Sequence, residues 1–174
     1  MPVMLIRRMI AADAEEVSAL IERSYGRVLV HYHSPELIAH FREHVTPESL
    51  IEQLERKEVF VVEDAGRIVA TGGLGWFDDP GLPRDEQADV YENAADRRVS
   101  NLFVAVDLIG RGIGRALLDH LIGLAEAEGA IRLYVASSRN AVSFYQRAGF
   151  RLDSDMHNEV PEISWLLRLP NGDR

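Results

Sequence analysis

Apolar residues recur along this chain with two periods, and the switches between them lay out its elements. Residues 3–8 alternate like a half-buried strand. From Asp13 the spacing turns helical: Val17, Leu20 and Ile21 share one face, and Asp13 with Glu16 has the form of a capping box. Ser34-Pro35 opens a second helical stretch, with Leu37, Ile38 and Phe41 on one side. Thr46-Pro47-Glu48 opens a third, with Thr as cap and Pro in the first turn, predicted to bury Leu50, Ile51 and Leu54. Residues 59–63 and 68–76 read as strands, joined into a hairpin by Asp64-Ala65-Gly66-Arg67. Residues 78–96 follow neither period, and a loop of that length inside a domain usually serves function or moves.

The second half repeats strand, loop and helix. Residues 98–106 form a strand that runs into Gly110-Arg111-Gly112-Ile113-Gly114-Arg115. The helix beyond carries Ile113, Leu117, Leu121, Leu124 and Ala125 on one face and stops at Gly129. Residues 131–136 are a strand. Residues 140–148 place Ala141, Phe144, Tyr145 and Ala148 on one helical face, and Gly149 ends it. Residues 150–152 and 163–169 read as a last strand pair. The order predicts one domain over 1–174, α/β or α+β, with a mixed sheet and helices on both faces.

Composition narrows the classes. Apolar residues make up 47% and charged residues 27% of 174, as in an ordinary globule. The net charge of −9 argues against a nucleic-acid partner and favours cationic substrates in a general way. No cysteine is present, which excludes disulfides and a thiol nucleophile. No apolar run has the length of a membrane span, and the N-terminus lacks the pattern of a signal peptide, so a cytoplasmic protein with no membrane partner is expected. His40 and His44 stand four apart, but Phe41 occupies the place a metalloprotease motif gives to Glu, and no metal site is expected. Trp76, at the end of the hairpin, is expected to pack in the core.

The glycine loop carries the first chemistry. Loop glycines let a backbone approach an anion, and the free N–H groups of the following helical turn point at it. The spacing fits neither of two common phosphate motifs. A dinucleotide fingerprint starting at Gly110 or Gly112 would need glycine at Arg115 or Leu117, and a triphosphate loop would need lysine at Ile113 or Arg115.

Residues 140–150 supply a second motif after another apolar strand. The loop, together with Asn140, Ser143, Phe144, Tyr145, Gly149 and Phe150, resembles the GNAT N-acetyltransferase superfamily. Two departures stand out. The small residue of the second motif, Ala141, directly follows the Asn, and the loop's usual Arg or Gln falls on Ile109. The resemblance spans residues 97–150. It implies a mixed, mainly antiparallel central sheet of the acyl-CoA N-acyltransferase type, with acetyl-CoA as donor and a small-molecule or peptide amine as acceptor; homodimers are common among its members.

The same resemblance distributes roles. Backbone N–H groups at Leu102, Phe103 and Val104, on a bulged strand splayed from its neighbour at 133–135, would face the pantetheine and the thioester oxygen. Gly110, Arg111, Gly112, Ile113, Gly114 and Arg115 would hold the pyrophosphate, with Arg147 a further phosphate partner. Asn140 and Ser143 would contact the CoA arm, and Asn140 is also suited to cap a helix. Tyr145, protonated at neutral pH, would serve the departing thiolate; the ordinary alternative is a core aromatic.

A base is not evident. Ser100 or Asn101 could hold a water; Asp89, Glu92, Asp96, His157 and Glu159 are within reach in sequence order only. His31, Tyr32, His33, Trp76 and Phe77 fall where members shape the acceptor pocket. Two rivals remain open at this level: a non-catalytic CoA-binding sensor or assembly module of the same fold, and an unrelated phosphate-binding domain.

Overall fold

The computed structural model describes residues 4–76, 96–153 and 162–170. Phe77, Asp89, Glu92, His157 and Glu159 lie outside them, as does nearly all of the irregular stretch. A seven-stranded sheet runs in the order β1-β2-β3-β4-β5-β7-β6. Its strands are β1 (Leu5–Arg8), β2 (Glu58–Asp64), β3 (Arg67–Trp76), β4 (Asp96–Val104), β5 (Arg132–Ser138), β6 (Arg151–Leu152) and β7 (Ile163–Arg168). Only β4 and β5 pair parallel; every other neighbour is antiparallel. The helices are α1 (Ala14–Arg27), α2 (Pro35–Glu43), α3 (Pro47–Gln53), α4 (Ile113–Ala127) and α5 (Val142–Gln146).

Helices cover both faces, as the alternation along β4 shows. Successive strand residues point to opposite sides. The ring of Phe103 meets Tyr25 of α1 edge-on at 5.6 Å, while next to it Val104 packs toward Gly114 of α4. Leu117, Leu118 and Leu121 of α4 are fully buried, each worth about 1.5–3 kcal/mol in apolar burial. The turn joining β2 to β3 is left-handed at both central residues, Ala65 (φ 50°) and Gly66 (φ 77°), the form that matches strand twist in a two-residue hairpin.

Several local expectations change. Ser34 and Thr46 cap α2 and α3, accepting from Leu37 N at 3.3 Å and Ser49 N at 3.2 Å. Asp13 and Glu16 do not form a capping box. The Asp13 carboxylate takes two bonds from Arg7 (2.8 and 3.0 Å) and one from Ile10 N (2.9 Å), fastening β1 to the start of α1. Glu16 instead accepts from Ile68 N at 2.8 Å, where β3 begins. Ile51 is 42% exposed, because the short α3 has room to bury only the Leu50 side. Trp76 is 48% exposed, its ring capped by the Arg97 guanidinium at 4.4 Å. The helix expected over 140–148 shrinks to α5, with residues 139–141 in a 3₁₀ turn before it.

The Arg7 hydrogen bonds hold the Asp13 carboxyl below its ordinary range. A carboxylate lowered on folding contributes stability that is present above its unfolded pKa, about 3.9, and lost as pH falls through the lower folded value. Asp13→Asn should therefore lower the melting temperature at pH 7, and its deficit against the unaltered protein should shrink below about pH 4. Thermal melts across pH 2.5–7 check this.

Candidate functional site

A cleft of about 610 Å³ opens where two neighbouring strands part. β4 and β5 pair from Asp96↔Arg132 to Val99↔Val135 and no further. Beyond that point β4 runs on through Val104 and β5 through Ser138, and the space between them is not closed by ladder bonds. The opening thus lies along residues 136–138 of β5, just past the 133–135 segment expected to flank it, because 133–135 is where the strands are still paired.

β4 also bulges at this point. Gly73 pairs with Ser100 and Thr71 with Phe103, so Asn101 and Leu102 together face Gly72. Asn101 takes φ 51°, a left-handed conformation that Asn adopts more readily than most residues. Its amide donates to Gln53 Oε1 at 3.2 Å, and Gln53, 5% exposed, donates to His44 O at 2.6 Å. Gly72 is needed opposite: a Cβ there would stand 2.8 Å from Leu102 Cδ1. The extra residue interrupts the ladder with β3 at Asn101 and Leu102 and keeps Ser100 and Phe103 on one face.

The glycine loop borders the same cleft. Gly110 (φ 84°) and Gly112 (φ 82°) are left-handed, and a Cβ on either would meet nothing within 4 Å. Conformation, not crowding, requires glycine at both. Gly112 caps α4 without a side-chain bond, leaving the first-turn N–H groups for another acceptor. At Gly114 a Cβ would stand 3.1 Å from Val104 Cγ2, so a side chain there would press α4 away from β4.

Leu102, Phe103, Val104, Gly110, Gly112, Gly114, Arg115, Asn140, Ser143 and Tyr145 all line the cleft. Arg111 and Ile113 do not: Ile113 is buried in the core at 5% exposure, and Arg111 is exposed near Asp107. Only their backbone is available to the loop. Arg115 bridges helices, Nε to Asp119 at 2.9 Å and Nη1 to Arg147 O at 3.0 Å. Asn140 caps no helix; its Oδ1 accepts from Ser138 Oγ at 2.6 Å. Ile109, 56% exposed, stands at the cleft's edge.

Tyr145 is both a core aromatic and a cleft residue. It is 6% exposed and lies edge-on to Phe144 (5.1 Å) and Phe150 (5.6 Å). Burial pushes its phenol well above the ordinary tyrosine range, so it stays protonated at any physiological pH. Among the described residues its hydroxyl has no hydrogen-bond partner.

The base candidates thin out. Asp96 is fully buried and held by both ends of the Arg132 guanidinium at 2.9 and 2.8 Å, remote from acid–base work. Ser100 accepts from Lys57 Nζ at 3.2 Å. His33 lines the cleft, 7% exposed and edge-on to Phe41 at 6.0 Å; burial lowers its pKa and keeps the imidazole neutral. Tyr32 is half exposed and turned outward. His40 and His44 rings meet at 5.1 Å, and among the described residues no third ligand-type side chain joins them.

Sequence reasoning missed the floor of the cleft: Gln53, Arg56, Lys57 and Arg98. The only signal was three glycines in β3, which leave room for other side chains above them.

A bulged strand parting from its neighbour beside a helix that begins in a glycine loop is the framework of an acyl-CoA-dependent acyltransferase. The chain belongs to the GNAT acetyltransferase family, whose domain matches residues 29–165. Among solved structures it is similar to the PaiA N-acetyltransferase of Thermoplasma acidophilum in complex with coenzyme A (TM-score 0.76, 15% identity, 96% of this chain and 99% of that one). It is also similar to a GCN5-related N-acetyltransferase of Rhodopseudomonas palustris (0.74, 20%, 97% of each). A third is the ribosomal-protein-alanine N-acetyltransferase of Brucella melitensis (0.65, 23%, 94% and 96%). At these identities the structures show a shared fold. No curated protein matches the chain in sequence. Among the described residues no helix is long and apolar enough to cross a membrane.

The left-handed Asn101 gives a direct test of the bulge. Asn101→Gly should retain the fold, while Asn101→Val, a β-branched residue forced to positive φ, should cost about 1–3 kcal/mol. Denaturant titration of both variants measures the difference.

Proposed function

We propose that this protein transfers an acetyl group from acetyl-CoA directly to an amine. The observation that carries the reading is the cleft itself, which brings the bulge of β4, the open first turn of α4 and the Tyr145 hydroxyl to one space. Donor and framework fit. The N–H groups of Gly112, Ile113, Gly114 and Arg115 offer the pyrophosphate backbone donors and the positive end of the α4 dipole. Side chains matter little there, so Ile109 is compatible with binding. The parted edge of β4 at Leu102, Phe103 and Val104 offers unpaired backbone groups to the amide-bearing pantetheine arm. Asn140 and Ser143, on the other wall, flank that arm.

The reaction has three demands. The amine must lose its proton, the thioester oxygen needs a donor as charge gathers on it, and the thiolate must be stabilised as it leaves. In the forward step the amine nitrogen forms the C–N bond while the C–S bond breaks, and one amine proton ends on the CoA sulfur. An N–H of the bulge is the oxyanion donor. Tyr145 stabilises the sulfur by donating a hydrogen bond. Its raised pKa makes full transfer of its own proton to a thiolate near about 8.5 unfavourable, so the sulfur takes its proton through solvent. No carboxylate is among the described lining residues, and water relays the amine proton; His33 and His44 line the cleft, and burial, by lowering the His33 pKa, keeps that imidazole neutral.

Calorimetry should show one-to-one, micromolar binding of acetyl-CoA and none of ATP or NAD; absence of acetyl-CoA binding would end this reading. Tyr145→Phe should keep that affinity and lower kcat by roughly tenfold, the scale of one hydrogen bond to a developing charge. Because the phenol stays protonated, the pH–rate profile of the unaltered enzyme should show no loss of activity from Tyr145 up to about pH 10. Unchanged kcat in the Phe variant would remove Tyr145 from the mechanism, whereas acetyl-CoA binding with no turnover of any amine would favour the non-catalytic, CoA-sensing alternative.

A further inference from the structure

Gln53 buries a primary amide at the edge of the cleft, and burying such a group is unfavourable unless its polar atoms are bonded. Both ends of this amide are used. Nε2 donates to His44 O at 2.6 Å and to Ser49 Oγ at 3.3 Å, and Oε1 accepts from Asn101 Nδ2 at 3.2 Å. Two of these bonds leave α3. One goes to His44, which caps the C-terminus of α2, and the other to the bulge of β4. His44 and Asn101 line the cleft as Gln53 does.

Asn101 is where the second of those bonds matters. Its φ of 51° is left-handed, and a residue other than glycine holds that conformation only where its surroundings over-determine it. Neither neighbouring strand does so. β3 sets Gly72 alone against Asn101 and Leu102 together, and the pairing with β5 has ended at Val99. What fixes Asn101 from outside the sheet is the Gln53 amide.

We propose that Gln53 is a positioning residue of the acetyl transfer. By holding Asn101 left-handed it sets where the bulged backbone of β4 stands against the thioester. By holding His44 O it keeps the end of α2, whose Phe41 and His44 line the cleft, in step with that backbone. The inference rests on the N-acetyltransferase reading, and Gln53 acts in it through Asn101. A donor aimed at a developing oxyanion must stand within about 0.5 Å of its place, and a misplacement of about 1 Å can lower a rate 100-fold. The side-chain bonds of Gln53 reach α2, α3 and β4 but not the glycine loop, so binding of the donor's phosphates is spared.

Two substitutions separate the bonds. Gln53→Met keeps the length of the side chain and loses all three. Gln53→Glu keeps an oxygen for the Asn101 amide and loses the amide donors. Each variant is followed by its melting temperature, by calorimetry of acetyl-CoA and by CoA-thiol release from acetyl-CoA. Glycine, spermidine, phenethylamine and trialanine are offered as acceptors, and the fastest with the unaltered protein is used throughout. Both variants should melt lower and bind acetyl-CoA within about threefold of the unaltered protein. Gln53→Met should lower kcat by about 10- to 100-fold, and Gln53→Glu should recover most of that loss. In an Asn101→Gly background, where no side chain remains to be held, Gln53→Met should change kcat by less than about twofold. Asn101→Asp leaves Gln53 and its bond to His44 in place but cannot donate to Oε1, and it should reproduce the loss. An unaltered kcat in Gln53→Met, equal losses in Met and Glu, or a loss just as large in the Asn101→Gly background would overturn the proposal. A normal rate in Asn101→Asp would do so even where Gln53→Met does not fold. Absence of CoA release with all four amines would instead overturn the transferase reading on which it rests.

Discussion

β4 cannot satisfy both of its neighbours along its whole length, and the site exists because of that. Through Val99 it pairs on both sides, with β3 and with β5. At Asn101 and Leu102 it takes one residue more than β3 can match, and its pairing with β5 has already ended. Buried backbone polar groups left out of a ladder are expensive, so such an edge is a standing demand for a hydrogen-bonding partner. The bulge is held from outside the sheet by the Gln53 amide, which spans Asn101 and the His44 carbonyl. One buried glutamine thus couples the α2–α3 connection to the bulged strand beside the cleft.

Most of the sheet and helices were legible because they follow the burial periods. The hairpin, the start of α2 after Ser34, the cap at Thr46 and the face of α4 read directly from residue type. The errors came from long-range partners. Asp13 and Glu16 have the spacing of a local cap, yet each is claimed by a group distant in sequence or on another element, Arg7 and the Ile68 N–H. Trp76 reads as core by hydrophobicity alone; it is the last residue of β3, exposed at the strand's end with Arg97 over its ring. The glycine loop and Tyr145 were visible as motifs. The cationic floor was not, because Arg56 and Lys57 look like the solvated end of a short helix and only the fold brings Arg98 to them.

The two arginines side by side on β4 show how that fold sorts similar residues. Arg97 points toward α4, where it donates to Gly75 O at 3.1 Å and pairs with Glu128, with Glu58 3.7 Å away. Burial, and then the neighbouring Glu58, raises the Glu128 pKa, so that arginine is absorbed in balancing two carboxylates. Arg98, one residue on, points to the cleft, its guanidinium 5.4 Å from the centre of the Trp165 ring. Strand alternation alone sends the two guanidiniums to opposite faces of the sheet.

The same alternation divides labour along the rest of β4. Side chains toward α4, Val99 and Val104, seat the helix whose first turn borders the cleft, and Gly114 lets that helix come close. Side chains toward α1, Arg98, Ser100 and Phe103, line the cleft from the other face. Between the two sets runs the bulged backbone, where the pairing with β5 has already ended. A change in the side chains toward α1 should leave the seat of α4 intact, since the two share only the strand.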